Sequence, residues 1–253
     1  MNQLAALQKA VVSCKRCPRL IRHCQRVARE RRRMYRDQEY WGKPLASFGG
    51  PNAELLILGL APAAHGGNRT GRMFTGDRSG DFLYRALYEA GFANQPESRH
   101  RGDGLELRGC YITAALRCAP PKNKPSLQEL RNCQPYLEKE LGLLKRVRAV
   151  LTLGKIAFDT YLRIVFRSGG PAKRDRHAAL KGSASGERLP PRSSFRFAHG
   201  ASYALPRGWP RLFASYHPSQ QNTQTGRLTE EMMRKVLHDV RKYLTAPPQS
   251  ALP

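Results

Sequence analysis

The chain has 253 residues, in which 44 Lys and Arg stand against 19 Asp and Glu for a formal net charge of +25. An excess of that size goes beyond what solubility requires and points to a polyanionic partner, nucleic acid first. No apolar run approaches bilayer length, and the opening MNQLAALQKAVVSCKRCPRL carries no small-residue cleavage site, so neither membrane insertion nor secretion is expected and a cytoplasmic location is.

In chain order, residues 15 to 36 come first, with ten Lys and Arg against the single acid Glu30, and read as a basic helix. AELLILGL (53 to 60) is a buried-strand run that feeds the loop GLAPAAHGGNRTGRMFTGDRSG, residues 59 to 80. SGDFLYRALYEAG (79 to 91) reads as a helix closed by Gly91, and CYITAALRC (110 to 118) as a second strand. SLQELRNCQPYLEKELGLLKRV opens on a capping box at Ser126 and Glu129 and stays mostly helical despite Pro135. RAVLTLG is a third strand, KIAFDTYLRIVF a helix, and RLFASYHPS (211 to 219) a late strand running into a polar loop. TEEMMRKVLHDVRKYL (229 to 244) is the last helix, with Thr229 as N-cap and acids in its first turn. The alternation predicts an α/β fold, a mostly parallel sheet with helices on both faces and functional loops at the carboxyl ends of its strands. One domain over residues 1–245 is expected, as a monomer, with a basic Gly/Ser/Pro-rich insertion at 167–210 and a flexible tail at 246–253.

The six cysteines fall at 14, 17, 24, 110, 118 and 133. Cytoplasmic thiols stay reduced, so their clustering suggests a metal. Cys14 and Cys17 form a C-x2-C pair, while Cys118 and Cys133 bracket a loop and the start of a helix. Four thiolates suit a tetrahedral zinc or a four-iron cluster, and spacing alone does not choose between them. Cys24 is the spare candidate, and Cys110 at a strand start reads as core.

The glycine-rich loop, the run TAALRCAPPKNKP and the loop HPSQQNTQTGRLT follow one another with cysteines interspersed between Cys14 and about Leu244. Together they resemble the family 5 uracil-DNA glycosylases, the iron–sulfur branch of the uracil-DNA glycosylase superfamily. The resemblance implies a three-layer α/β/α sandwich and a 4Fe-4S cluster held by Cys14, Cys17, Cys118 and Cys133. It also implies a DNA repair enzyme that flips out uracil and hydrolyses its N-glycosidic bond, leaving an abasic site. DNA containing uracil, or another deaminated base such as hypoxanthine, would be its partner.

On this resemblance Asp77 places the water and steadies the sugar cation, although a carboxylate just before a helix also reads as a plain N-cap. His217 donates to the leaving base, ideally as neutral imidazole. Asn123 either meets a base edge or serves as a turn residue, and Phe74 either stacks on the base or packs in the core. Gly66, Gly67 and Gly71 let backbone N–H groups approach the flipped nucleotide. Arg69 and Arg72 read as phosphate contacts or as partners of acids. Ala61 stands where most of the superfamily carries Asp, Glu or Asn, and Ala114 where relatives read the base with asparagine, so the burden shifts toward Asp77. Lys122, Lys124 and Arg227 read as DNA contacts, while Gln220, Gln221 or Leu228 fills the gap left by the flipped base. Neither lysine is placed as a Schiff-base nucleophile, so a monofunctional glycosylase is expected. Charge and cysteines alone would equally allow a non-catalytic iron–sulfur or zinc DNA-binding protein.

Overall fold

The structure is a computed structural model that describes residues 3–167 and 190–247. Apolar pentads make the centre of the fold: β2 (Leu55–Gly59), β3 (Cys110–Ala114), β4 (Ala149–Leu153) and β6 (Arg211–Ser215) run parallel, and the first three are buried along their whole length. Two-residue strands β1 (Phe48–Gly49) and β5 (Ser202–Tyr203) pair antiparallel at the ends of the six-stranded sheet, whose order is β1-β3-β2-β4-β6-β5. A near-continuous apolar run is what a parallel strand needs, because helices cover both of its faces.

Alternate residues of each strand serve two separate cores. Leu55, Ile57, Ile112, Leu151 and Phe213 face α4 (Arg78–Glu89) and α8 (Glu230–Thr245), through Leu83, Leu87, Met233 and Leu237. Leu56, Leu58, Val150 and Leu212 face α5 (Leu127–Leu143) and α6 (Lys155–Arg167), through Leu137, Leu141, Phe158 and Tyr161. The result is the expected three-layer sandwich, each fully buried Leu or Ile contributing about 1.5–3 kcal/mol relative to exposure. A third cluster joins α1 (Gln3–Val12) and α2 (Pro18–Glu30) to the turn after β3, through Leu7, Val11, Leu20, Cys24, Ala119 and Tyr136.

Local signals hold. Ser126 and Glu129 form the reciprocal capping box of α5, and Thr229 caps α8 by accepting from Met232 N. Gly91 sits at φ +75 just past α4. The basic stretch supplies α2, and residues 33–35 then make a 3-10 turn. Half of the expected insertion, residues 168–189, and the tail from 248 lie outside the described residues, while residues 190–210 supply β5 and pack Phe195, Phe197 and Tyr203 on the second core. Among the described residues no helix is long and apolar enough to cross a membrane.

Because β2 is central, the chain leaves it toward β3 on one side, whereas it leaves β4 toward β6 on the other. The loops at their carboxyl ends diverge there and open a crevice.

Candidate active site and cysteine cavity

A small pocket occupies that crevice, lined by Ala61, Pro62, Ala63, Met73, Phe74, Asp77, Ser79, Ala114 and His217. Two loops and a strand end build it. The loop after β2 gives Ala61 to Ala63 and, beyond the short α3 (Gly67–Thr70), Met73 to Ser79; β3 ends in Ala114; the loop after β6 gives His217.

Asp77 is both helix cap and pocket wall. Its Oδ1 accepts from Gly80 N at 2.9 Å, capping α4. Its Oδ2 lies against Gly66, where a Cβ would land on that oxygen. Burial raises the carboxyl above its ordinary 3.8, opposed by the N–H groups of Gly80 and Ser79. A desolvated carboxylate held by one oxygen is a firm orienter and a strong partner for developing positive charge.

His217 faces the same space, its ring 5.8 Å from that of Phe74 and tilted by 30°. Burial alone pushes the imidazole down from 6.5 to about 4, so it is neutral at physiological pH. Phe74 holds a left-handed backbone, φ 51, which a bulky residue adopts only under constraint. Its ring edge fits under Gly59, where a Cβ would meet Phe74 Cζ at 3.0 Å, and part of its surface packs on the core.

The glycine-rich loop is not what its composition suggested. Gly66 makes room for Asp77, Gly67 for Leu45 and Pro62, and Gly71 for Trp41 and Arg101. At these three positions the missing side chain makes room for protein neighbours. Arg69 and Arg72 also differ from phosphate contacts, being 8% and 5% exposed. Arg72 pairs with Asp103 at 2.6 Å and donates to Thr75 and Ser98. Arg69 donates to His65 O at 2.8 Å, Gly76 O at 2.6 Å and Gln38 Oε1, with the Tyr35 ring 3.8 Å from its Cζ. Both guanidinium groups are buried and spend most of their donors on protein acceptors, which makes them parts of the loop's own framework.

Asn123 lies apart from the pocket lining, exposed with Lys122 in the 3-10 turn Pro121–Asn123 that exposed Lys124 follows, and its φ of 56 is that of a turn residue. Gln220 and Gln221 are exposed on α7 (Gln220–Gln224), and Arg227 is exposed with its guanidinium over Tyr216. Leu228 is buried in the core at 1% exposure and has no free side chain to fill a gap in DNA. Met73 and Ser79 are pocket residues that sequence reasoning passed over, although both lie inside the loop it singled out.

Cys14, Cys17, Cys118 and Cys133 line one small cavity, together with Leu20, Ile21, Arg117 and Tyr136. Two sulfurs come from the α1–α2 turn, one from the loop after β3 and one from α5. They border a space without converging on a point: among the described residues no three His, Cys, Asp or Glu side chains are grouped to hold a single ion. Burial pushes the Cys133 thiol up to about 11, and thiolates there call for a cation. The Arg117 guanidinium bonds Ser47 and Glu140, but its buried Nε has no acceptor among the described residues, an unmet donor beside the cavity. An anionic group rich in sulfur fits those surroundings. Cys24, the spare candidate, is fully buried on α2 with its Sγ 3.7 Å from Ala119 O and does not line the cavity. Cys110 is core.

A sheet of four parallel strands with such a pocket at its carboxyl ends is shared by many hydrolases, and sequence relatives narrow the class. The model of the Uracil DNA glycosylase superfamily matches residues 46–241. A type-5 uracil-DNA glycosylase of Thermus thermophilus is 47% identical over 237 residues, covering 94% of this chain and 96% of that protein. One from Mycobacterium tuberculosis is 43% identical over 242 residues, 95% and 82% respectively, and one from Pyrobaculum aerophilum 42% identical over 227 residues, 90% and 87%. The chain belongs to the type-5 uracil-DNA glycosylases of that superfamily.

Proposed function

We propose that the protein removes uracil from DNA by hydrolysing its N-glycosidic bond, with Asp77 and His217 dividing the work. The observation that carries this reading is that a desolvated carboxylate and a neutral imidazole face one pocket at the carboxyl ends of the strands, with Phe74 between strand and histidine. As the C1′–N bond breaks, its electron pair leaves with the base and the sugar becomes cationic. Asp77 steadies that cation and orients the water whose oxygen attacks C1′, accepting the proton that the water loses, and the departing base anion takes a proton from solvent. His217, keeping its proton, donates a hydrogen bond to the base as it gains negative charge. Phe74 offers its ring to the flipped base, whose extrusion costs a few kcal/mol.

Ala61, Ala63 and Ala114 leave the pocket without a side-chain amide to read the base edge, which supports acceptance of hypoxanthine and other deaminated bases besides uracil. Cys14, Cys17, Cys118 and Cys133 would hold a 4Fe-4S cluster. Its contribution there is structural, four metal–thiolate bonds tying α2 to the β3 loop and α5.

The test is base release from a duplex with one uracil, read by alkaline cleavage of the strand. Cleavage at that position is expected. An intact strand at saturating protein, with iron-loaded material, would overturn the reading.

A further inference from the structure

We infer that Arg69 is a positioning residue for Asp77, an inference that rests on the catalytic reading of that carboxylate. One edge of its guanidinium holds the peptide that carries Asp77, since Nη2 donates to Gly76 O at 2.6 Å. Gly76, at φ +79, has no room for a side chain: a Cβ would meet Arg69 Nη2 at 2.5 Å. Nη1 donates to Gln38 Oε1, the Tyr35 ring lies 3.8 Å from Cζ, and the backbone of Arg69 accepts from Trp41 N at 2.9 Å. Nε is held by His65 O. Arg69 is therefore the seam between the segment 35–41, which continues from the basic stretch, and the loop ending in Asp77.

Two consequences follow for the carboxylate. Pinning Gly76 fixes where the chain turns into α4, and so where Asp77 Oδ2 points; a shift of about 1 Å in a reacting group costs up to about 10²-fold in rate. A buried cation one peptide away also favours the ionised carboxyl. The charged and polar groups facing Asp77 are Arg69 from α3, Asp81 and the N–H groups of Ser79 and Gly80 from α4, and His217 across the pocket. Among these Arg69 is the cation that opposes burial.

Single-turnover base release should be measured against pH for Arg69→Gln and Arg69→Lys, beside the salt dependence of duplex binding. For Arg69→Gln the rate should fall roughly ten- to hundredfold and its acidic limb move to higher pH, because Asp77 then ionises less readily. Arg69→Lys keeps the charge, so its limb should stay while the rate falls. The log–log salt slope should be unchanged in both. A slope flattened by about 0.9 in Arg69→Gln with the limb unmoved would make Arg69 a phosphate contact and overturn the inference. Should neither variant fold, Tyr35→Leu removes the ring beneath the guanidinium and adds no buried charge. The rate should fall without a change in slope, and a wild-type rate would overturn the inference. Full activity of Asp77→Asn would sink the catalytic reading itself, a result the Arg69 variants cannot mimic.

Discussion

At Asp77 one carboxylate serves two demands that conflict. As a cap it needs only an acceptor for Gly80 N, worth about 1 kcal/mol, which asparagine supplies equally well. As a catalytic group it must stay charged in a site that burial makes hostile to charge. Asp77→Asn should therefore cut single-turnover base release by roughly two orders of magnitude, leave duplex binding nearly intact, and raise the melting temperature at neutral pH. A carboxyl raised in the folded state lends its full stability below its unfolded value of 3.8 and loses it as pH climbs through the raised value. Asparagine has no such loss, so the melting advantage should shrink on acidification; an advantage that persists in acid would point to a different cause. His217 runs in the opposite sense. Depressed from 6.5 to about 4, its contribution is complete above 6.5 and disappears as pH falls through about 4. His217→Ala should flatten the acid decline of stability in that window and cost about 3 kcal/mol of transition-state stabilisation. The rate loss should lessen for bases that leave more readily as anions, whereas Asp77→Asn should show no such dependence.

These two residues were legible because each sits inside a recognisable motif, Asp77 at the N-cap of α4 and His217 just past the end of β6. The neighbours that define their surroundings were not. Gly66 opposes a carboxylate eleven positions along the chain, after the loop has turned back on itself. Arg72 finds Asp103, and Arg69 finds Gln38, each about thirty residues away. Composition shows an arginine but not whether its acceptor is a phosphate or a distant carbonyl.

Among the elements, the long ones were readable and the short ones were not. Four apolar pentads and five amphipathic helices announce themselves by period and caps, but β1 and β5 are two residues each, too brief for alternation to register. The cysteine cavity lies between. Its four sulfurs come from separate elements, so spacing left zinc and iron–sulfur equal, and the spread of the sulfurs around a cavity was visible only in three dimensions. If the cavity holds a cluster, it adds to the apolar packing and the Arg19–Glu129 pair that already attach α2. Anaerobically purified protein should be brown and contain iron, and zinc without iron in elemental analysis would remove the cluster from the account. Cys133→Ala should lose iron and solubility together, while Cys110→Ala should keep its iron because that sulfur lies in the core, away from the cavity.

For the molecule as a whole, charge is the dominant long-range term. With +25 and the cations of the 15–36 stretch mostly exposed, duplex binding should weaken steeply with salt, by about 0.9 log units per log unit for each phosphate neutralised. Replacing Arg29, Arg32 or Arg33 by alanine should reduce that slope by about one phosphate each if the 15–36 stretch lies along the DNA backbone; a slope indifferent to all three would move the DNA elsewhere. The two-residue edge strands bear on another aspect of the whole. A parallel sheet of apolar pentads is a template for adding foreign strands wherever its border is open. Here, among the described residues, the outermost strands are antiparallel and offer only two positions each, one of which, Gly49, holds a φ of 129 outside the pleat. The borders are thus too short to recruit another chain, and crowding along DNA need not become polymerisation.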